Sequence, residues 1–218
     1  MPPSRTLPSA DIRLARGLPL IEPIALLRLT EPFDDPNWVF EPKYDGFRGV
    51  VYATGRSCQI RSRRDIPFGR FEGLWDRVAE VLNGREVILD GEIVSLNRQG
   101  KPVFENLLRG RGFLAYAAFD LLWLDGRDLR DLPLAERKEE LATLLPQDTG
   151  PLYKILTVEE HGRALFSATR KMDLEGVVAK RKNDGYGAGT SWYKIRNPGY
   201  RHEPFVSEPI QRPATARR

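Results

Sequence analysis

One cysteine and two histidines are all the thiolate and imidazole metal ligands that the sequence offers. Cys58 alone cannot close an intrachain disulfide, and together with His161 and His202 it falls short of the four-ligand set of a structural zinc site. Any metal must therefore be held by oxygen. No uninterrupted apolar run approaches the roughly 20 residues needed to cross a bilayer, which excludes a helical membrane protein. The first residues, Met1-Pro-Pro-Ser-Arg5, contain no apolar stretch followed by a small-residue cleavage site, so the expected compartment is the cytoplasm. No repeat of fixed period is present. Also missing is a glycine-rich phosphate loop of the Walker or Rossmann type, which leaves any phosphate recognition to lysine and arginine side chains.

The 218 residues carry 34 basic and 30 acidic side chains, and the surplus of four sits at the two ends. Arg5, Arg13 and Arg16 outnumber Asp11 at the start, and Arg201, Arg212, Arg217 and Arg218 outnumber Glu203 and Glu208 at the finish. Residues 1–18 and 201–218 are expected to be flexible extensions, and residues 19–200 one folded domain. Basic tails suit phosphate-bearing partners, and solvated ends describe them as well.

Within 19–200, β-rich stretches recur at Trp38–Phe40, Gly49–Tyr52, Cys58–Ile60, Val87–Val94, Tyr116–Leu124, Gly176–Ala179 and Trp192–Ile195. Helical spacing appears in Phe71–Leu82, where Leu74, Val78 and Leu82 share a face, in Leu134–Leu145 with its Glu/Arg/Lys-rich opposite side, and in Val158–Met172. Short strands joined by turns at Ala53–Gly55 and Asn97–Gly100, with helices in separate blocks, predict an α+β fold of mainly antiparallel sheets flanked by helices.

Four charged constellations fall where strands end. Lys43 lies in Glu41-Pro-Lys-Tyr-Asp-Gly-Phe-Arg48 between two apolar strands, either a surface residue or a nucleophile; taken alone the surface reading wins, because most lysines are solvated. Asp90 and Glu92 share one side of a strand by the period of two, a pair able to hold a divalent cation, although Asp90-Gly91 also reads as an ordinary turn. Glu175 precedes the apolar run that ends at Lys180, and Lys194 and Arg196 share a face. Each has a bland reading alone; together they are the inventory for nucleotide phosphates plus magnesium.

These residues resemble the ordered motifs of the covalent nucleotidyltransferases. Lys43 to Arg48 fits KxDGxR, Ser62-Arg63 motif Ia, Leu89–Ile93 motif III, Phe119–Gly126 motif IIIa, Glu175–Lys180 motif IV and Ser191–Arg196 motif V. The set is most similar to ATP-dependent DNA ligases, especially the bacterial ligase module of end-joining repair, over nearly all of residues 19–200. The resemblance implies an ATP-grasp-like adenylation domain that uses ATP with Mg²⁺ or Mn²⁺, works as a monomer on nicked double-stranded DNA, and associates with the bacterial nucleoid when on DNA.

By the same resemblance, Lys43 is the nucleophile that takes AMP. Phe119 would stack on adenine and Glu41 would help to read the base. Arg48 and Glu92 would contact the ribose and organise the phosphate pocket, and Glu175, with Glu92, would support the metal. Lys180, Lys194 and Arg196 would hold phosphates, and Asp45 and Asp90 would support the site. Arg61, Arg63 and Arg64 form a basic cluster that could grip DNA.

Three departures from the family pattern stand out. Arg196 occupies a position that is usually lysine, exchanging a point charge for a planar fork. The stretch from Glu92 to Phe119 is short, which predicts a curtailed helix. Only 22 residues follow Arg196, whereas family ligases continue into an OB-fold domain with motif VI, so full sealing is expected to need an OB-fold or end-joining partner. RNA ligases and capping guanylyltransferases share the KxDG core and stay as alternatives, as does a non-catalytic nucleotide- or nick-binding fragment; motif IIIa and the surroundings of motif IV favour the DNA-ligase side.

Overall fold

The computed structural model describes residues 18–146 and 150–200, so the extensions expected at 1–18 and 201–218 lie, apart from Leu18, outside the described residues. Two sheets face each other. The first runs in the order β1 (Leu26–Leu29), β11 (Trp192–Arg196), β10 (Gly176–Arg181), β2 (Asp35–Lys43) and β9 (Val158–Glu160). The second runs β4 (Ser57–Ser62), β3 (Phe47–Gly55), β5 (Gly84–Leu96), β6 (Phe113–Leu124) and β7 (Arg127–Asp128), with β8 (Leu152–Lys154) also on β6. Among the described pairings only β1 with β11 and β6 with β8 are parallel, which matches the mainly antiparallel α+β expectation.

Side-chain alternation sorts these strands into three apolar layers. Trp38 and Phe40 of β2, with Val177, Ala179 and Ile195, pack on Leu165 and Phe166 of α4 (Gly162–Lys171). Val51, Leu89 and Leu121 of the second sheet pack on α1 (Glu72–Leu82), on Leu107 of α2 (Phe104–Arg109) and on Leu141 of α3 (Leu134–Leu144). Between the sheets lies a smaller cluster in which Val50, Tyr52, Ile88 and Leu122 meet Ile24, Tyr186 and Trp192. The inner layer is thus only partly filled by apolar side chains, and the charged motif residues occupy the rest.

Two glycines set the spacing of this inner layer. A Cβ on Gly46 would lie 2.2 Å from the carbonyl oxygen of Ile93, so the turn after Lys43 can cross β5 only as glycine. A Cβ on Gly91 would lie 2.5 Å from the Tyr116 ring, whose hydroxyl donates to the Gly49 and Leu89 carbonyls.

Where the expectations were wrong, the cause lies in the sheets. Val158–Met172 is not one helix: Val158–Glu160 extends the first sheet beside β2, Glu160 turns the chain at φ 64°, and the helix starts at Gly162. A Cβ on Gly162 would strike the Phe33 carbonyl oxygen at 2.3 Å, which shows how closely this helix start sits against the neighbouring chain. The strand β1 was not expected at all. Between Glu92 and Phe119 the helix present is the six-residue α2.

Candidate active site

Inward-facing residues of the two sheets enclose a cavity lined by Leu26, Glu41, Lys43, Tyr44, Arg48, Glu92, Phe119, Ile155, Val178, Lys180 and Trp192, with Pro42 beside them. Cross-strand register explains the grouping. Glu41 opposes Val178, which opposes Lys194, and Lys43 opposes Gly176, so residues from the separate motifs fall on one face of the first sheet. From the second sheet, Arg48 opposes Glu92. Phe119 enters through a bulge: Asp90 pairs with Asp120 and Gly91 with Ala118, which leaves Phe119 as the extra residue turned into the cavity.

At one end, the Lys43 ammonium lies 2.5 Å from Glu175 Oε2, and Arg196 Nε lies 3.4 Å from the other oxygen of the same carboxylate. Glu92 faces this pair. Burial, against the partial relief of Lys43 and Arg48, pushes its carboxyl up to about 8, and the negative charges of Asp90 and Glu175 add to the rise. Among the described residues no group of three or more His, Cys, Asp or Glu side chains converges on a point. Two carboxylates fit a magnesium ion that completes its shell with substrate phosphate oxygens and water, so Glu92 and Glu175 are the residues that would hold one.

At the other end, the buried Glu41 carboxylate takes Lys180 at 2.7 Å on one oxygen and Lys138 on the other. Burial would raise its pKa, but the charges of Lys138 and Lys180 override this and hold it below the usual carboxylate range. Lys180 is 1% exposed; its ammonium sits 4.3 Å from the Phe119 ring centre and 3.9 Å from that of Trp192. Burial lowers it to about 8 against the opposing pull of Glu41. In this structure the Lys180 charge is paired with Glu41 and enclosed by the Phe119 and Trp192 rings.

Arg48 clamps Asp90 through Nε at 3.1 Å and Nη2 at 2.7 Å, and donates to the Ile24 carbonyl at 2.6 Å. Asp90 is fully buried and also accepts from the Tyr186 hydroxyl at 2.7 Å. Asp90 and Glu92 do face the same way, and both oxygens of Asp90 are taken up by this clamp. Burial opposes the Arg48 charge, and Asp90 more than restores it. Asp45 accepts from the Tyr200 hydroxyl at 2.8 Å.

The basic cluster at 61–64 divides. Arg61 is tied into its own turn by Asp65 and Gln59, with Nε 2.5 Å from Asp65 Oδ1, whereas Arg63 and Arg64 are exposed. Sequence reasoning missed Trp192, Leu26 and Ile155 as cavity walls, and Lys138 as the partner of Glu41. Lys138 lay on what read as the polar side of α3, and nothing in that pattern distinguishes it from a solvated lysine. Trp192 was legible only as a strand residue.

A family model described as "ATP dependent DNA ligase domain" matches residues 25–196. The chain belongs to this family. The six motifs carried the same resemblance, and the ligase domain's relatives extend it. It is 37% identical over 170 residues, 74% of this chain, to the multifunctional non-homologous end joining DNA repair protein LigD of Mycobacterium tuberculosis (strain ATCC 25618 / H37Rv), of which that match spans only 22%. It is 28% identical over 190 residues to the SPbeta prophage-derived DNA ligase-like protein LigB of Bacillus subtilis (strain 168), covering 83% of this chain and 68% of LigB. Among solved structures, a mycobacterial DNA ligase D complexed with ATP and MES superposes with a TM-score of 0.71 at 32% identity, over 80% of this chain and 60% of that one. The Chlorella virus DNA ligase-adenylate, at 19% identity and a TM-score of 0.56 over 82% of this chain and 69% of that one, shares the fold. This domain is thus an ATP-dependent DNA ligase adenylation domain of the LigD-like kind, with the nucleotidyltransferase fold. Among the described residues no helix is long and apolar enough to cross a membrane.

Proposed function

We propose that this domain is an active adenylyltransferase whose Lys43 forms a covalent lysyl-AMP and passes AMP to the 5′-phosphate of nicked DNA. The observation that carries the reading is the position of Lys43: at the mouth of a cavity walled by Phe119, Val178 and Trp192, paired at 2.5 Å with a carboxylate that also touches Arg196.

Adenine enters between Phe119 and Val178 with its amino group toward Glu41. A doubly paired carboxylate stays ionised and so acts only as a hydrogen-bond acceptor, which suits an exocyclic amino group and disfavours a carbonyl oxygen. The Lys43 amine, once its proton is released, attacks the α-phosphorus; the nitrogen–phosphorus bond forms as the bond to the pyrophosphate oxygen breaks. Lys194 and Arg196 stabilise the charge that accumulates on the phosphate oxygens. Magnesium, held by Glu175 and Glu92 when bound, supplies further neutralisation of those oxygens. The nick's 5′-phosphate then takes AMP from Lys43, and the 3′-hydroxyl displaces AMP to close the strand.

The test is the intact mass of the chain after incubation with ATP and Mg²⁺, beside Lys43→Ala, followed by nicked duplex. A gain of one AMP that is lost in the variant and discharged by nicked DNA supports the reading. Discharge only on RNA moves the acceptor to RNA, and no adduct with either Mg²⁺ or Mn²⁺ removes the enzymatic claim.

A further inference from the structure

We propose that Arg28, on the edge strand β1, joins Lys194 and Arg196 in a phosphate-binding strip that leads away from Lys43 and receives phosphate groups beyond the one attacked. The proposal rests on the nucleotide reading above and adds a residue that none of the motifs contains.

The strip follows from register. Leu26 opposes Trp192 and Arg28 opposes Lys194 across the parallel β1–β11 pair. Opposed residues project from the same face of a sheet, and Leu26 lines the nucleotide cavity, so Arg28, two positions along and about 7 Å further, projects from that inner face as well. Arg196 follows Lys194 by the same period of two. Arg28 and Arg196 also line one cleft, with Thr30, Asn197 and Tyr200 contributing polar groups to its walls. This cleft borders the catalytic end of the cavity: Asn197 N–H donates to the Glu175 carbonyl at 2.8 Å, and Tyr200 reaches Asp45, two residues after Lys43.

The charge balance along the strip is what calls for a ligand. Like charges directly opposed across a strand pair destabilise a sheet, yet Arg28 and Lys194 stand in register. Neither makes an ion pair among the described residues, and the only carboxylate on the strip is Glu175, 3.4 Å from Arg196 and already bonded to Lys43. By contrast, Arg48 is paired with Asp90, Arg137 with Asp120 and Lys180 with Glu41. A row of three cations whose one carboxylate is already shared with Lys43, beside a nucleotide cavity, is suited to phosphate oxyanions.

Two sources supply that chemistry, the pyrophosphate portion of ATP and the backbone of nicked DNA, and one variant separates them. Arg28→Gln removes the charge from an exposed side chain and leaves the fold intact. Binding of inorganic pyrophosphate to the chain by titration calorimetry, without turnover, reads the first source: weakening by about tenfold is expected, as for loss of one charged hydrogen-bonding partner, with Arg28→Lys recovering part of it. Binding of nicked duplex as a function of salt reads the second: the variant loses about one unit of the salt slope. A change in either assay supports the strip and names its ligand. Unaltered pyrophosphate affinity together with an unaltered salt slope overturns it. Because neither assay needs lysyl-AMP, a chain that binds pyrophosphate through Arg28 but never takes up AMP would refute the catalytic reading alone.

Discussion

Lys43 Nζ and Glu175 Oε2, 132 positions apart in sequence, lie 2.5 Å from each other across the end of β10. The contact depends on Gly176, whose φ of 143° and lack of a Cβ let the chain turn within reach of the Ile195 carbonyl oxygen, where a Cβ would stand at 2.1 Å. Glu175 is thereby presented to the lysine although it precedes the strand. The pair holds the lysine at the cavity that Phe119, Val178 and Trp192 wall.

Glu175→Gln keeps the shape of this contact and removes its charge. The rate of AMP uptake is expected to fall by roughly a hundredfold or more, in the range for loss of a group acting on proton or charge transfer, while the melting temperature barely changes. Time-resolved intact mass beside a thermal melt checks it. An unchanged uptake rate would show that the pair only positions Lys43.

The Glu41 carboxylate between Lys138 and Lys180 makes a second prediction. Lys138→Met leaves the Glu41 carboxylate half-compensated; if Glu41 reads the base as proposed, the KM for ATP is expected to rise about tenfold with kcat preserved, as for lost ground-state binding. Lys138→Arg should restore most of it. Glu41→Gln replaces a pure acceptor by a donor–acceptor and should narrow the preference for ATP over GTP. Steady-state kinetics with both nucleotides decide the matter, and a drop in kcat alone would contradict the assignment.

Asp90 divides structure from catalysis. Its clamp on Arg48 and Tyr186 is buried, and Asp90→Asn strands the guanidinium with one carboxylate oxygen replaced by an amide donor; a loss of about 3–5 kcal/mol is expected, the usual cost of breaking a buried pair from one side. Chemical denaturation measures it. If Asp90 were instead a metal ligand, the variant would show a raised Mg²⁺ requirement at undiminished stability.

Much of this site was legible because each motif has its own local signal. Apolar runs fixed β2, β5 and β10, and Asp90-Gly-Glu92 was readable as a same-face pair from strand period alone. What the charged residues do within the site was not readable, since that depends on cross-strand neighbours. Lys180 ends its strand like any phosphate-binding lysine, and only the packing of Trp192, Phe119 and Glu41 around it shows where its charge goes. Arg137 sits in a Glu/Arg/Lys-rich helix, yet it is fully buried and bonded to Asp120 at 2.8 and 2.9 Å, joining α3 to β6. The three-residue strand β9 is too short for periodicity to speak, and the apolar spacing of α4 absorbed it.

The same burial gives Lys180 a signature in the pH dependence of stability. Its folded pKa is lowered to about 8 from an ordinary 10.5, burial being the main cause, so between those values the unfolded chain holds a proton that the folded chain has released. Stability rises with pH wherever the unfolded state binds more protons. The Lys180 contribution is therefore least favourable below about pH 8, improves as pH climbs toward 10.5, and is level above that; the full swing is on the order of 3 kcal/mol. Lys180→Met removes this group and keeps every other titrating side chain, so the difference between parent and variant isolates it. Whatever the sign of that difference at neutral pH, it should move in the parent's favour across the window when both are unfolded in urea at a series of pH values. A difference that stays flat from about pH 7 to 11 would mean that Lys180 titrates as an ordinary lysine, and with it would go the closed, aromatic-walled end of the cavity as the place where its charge is held.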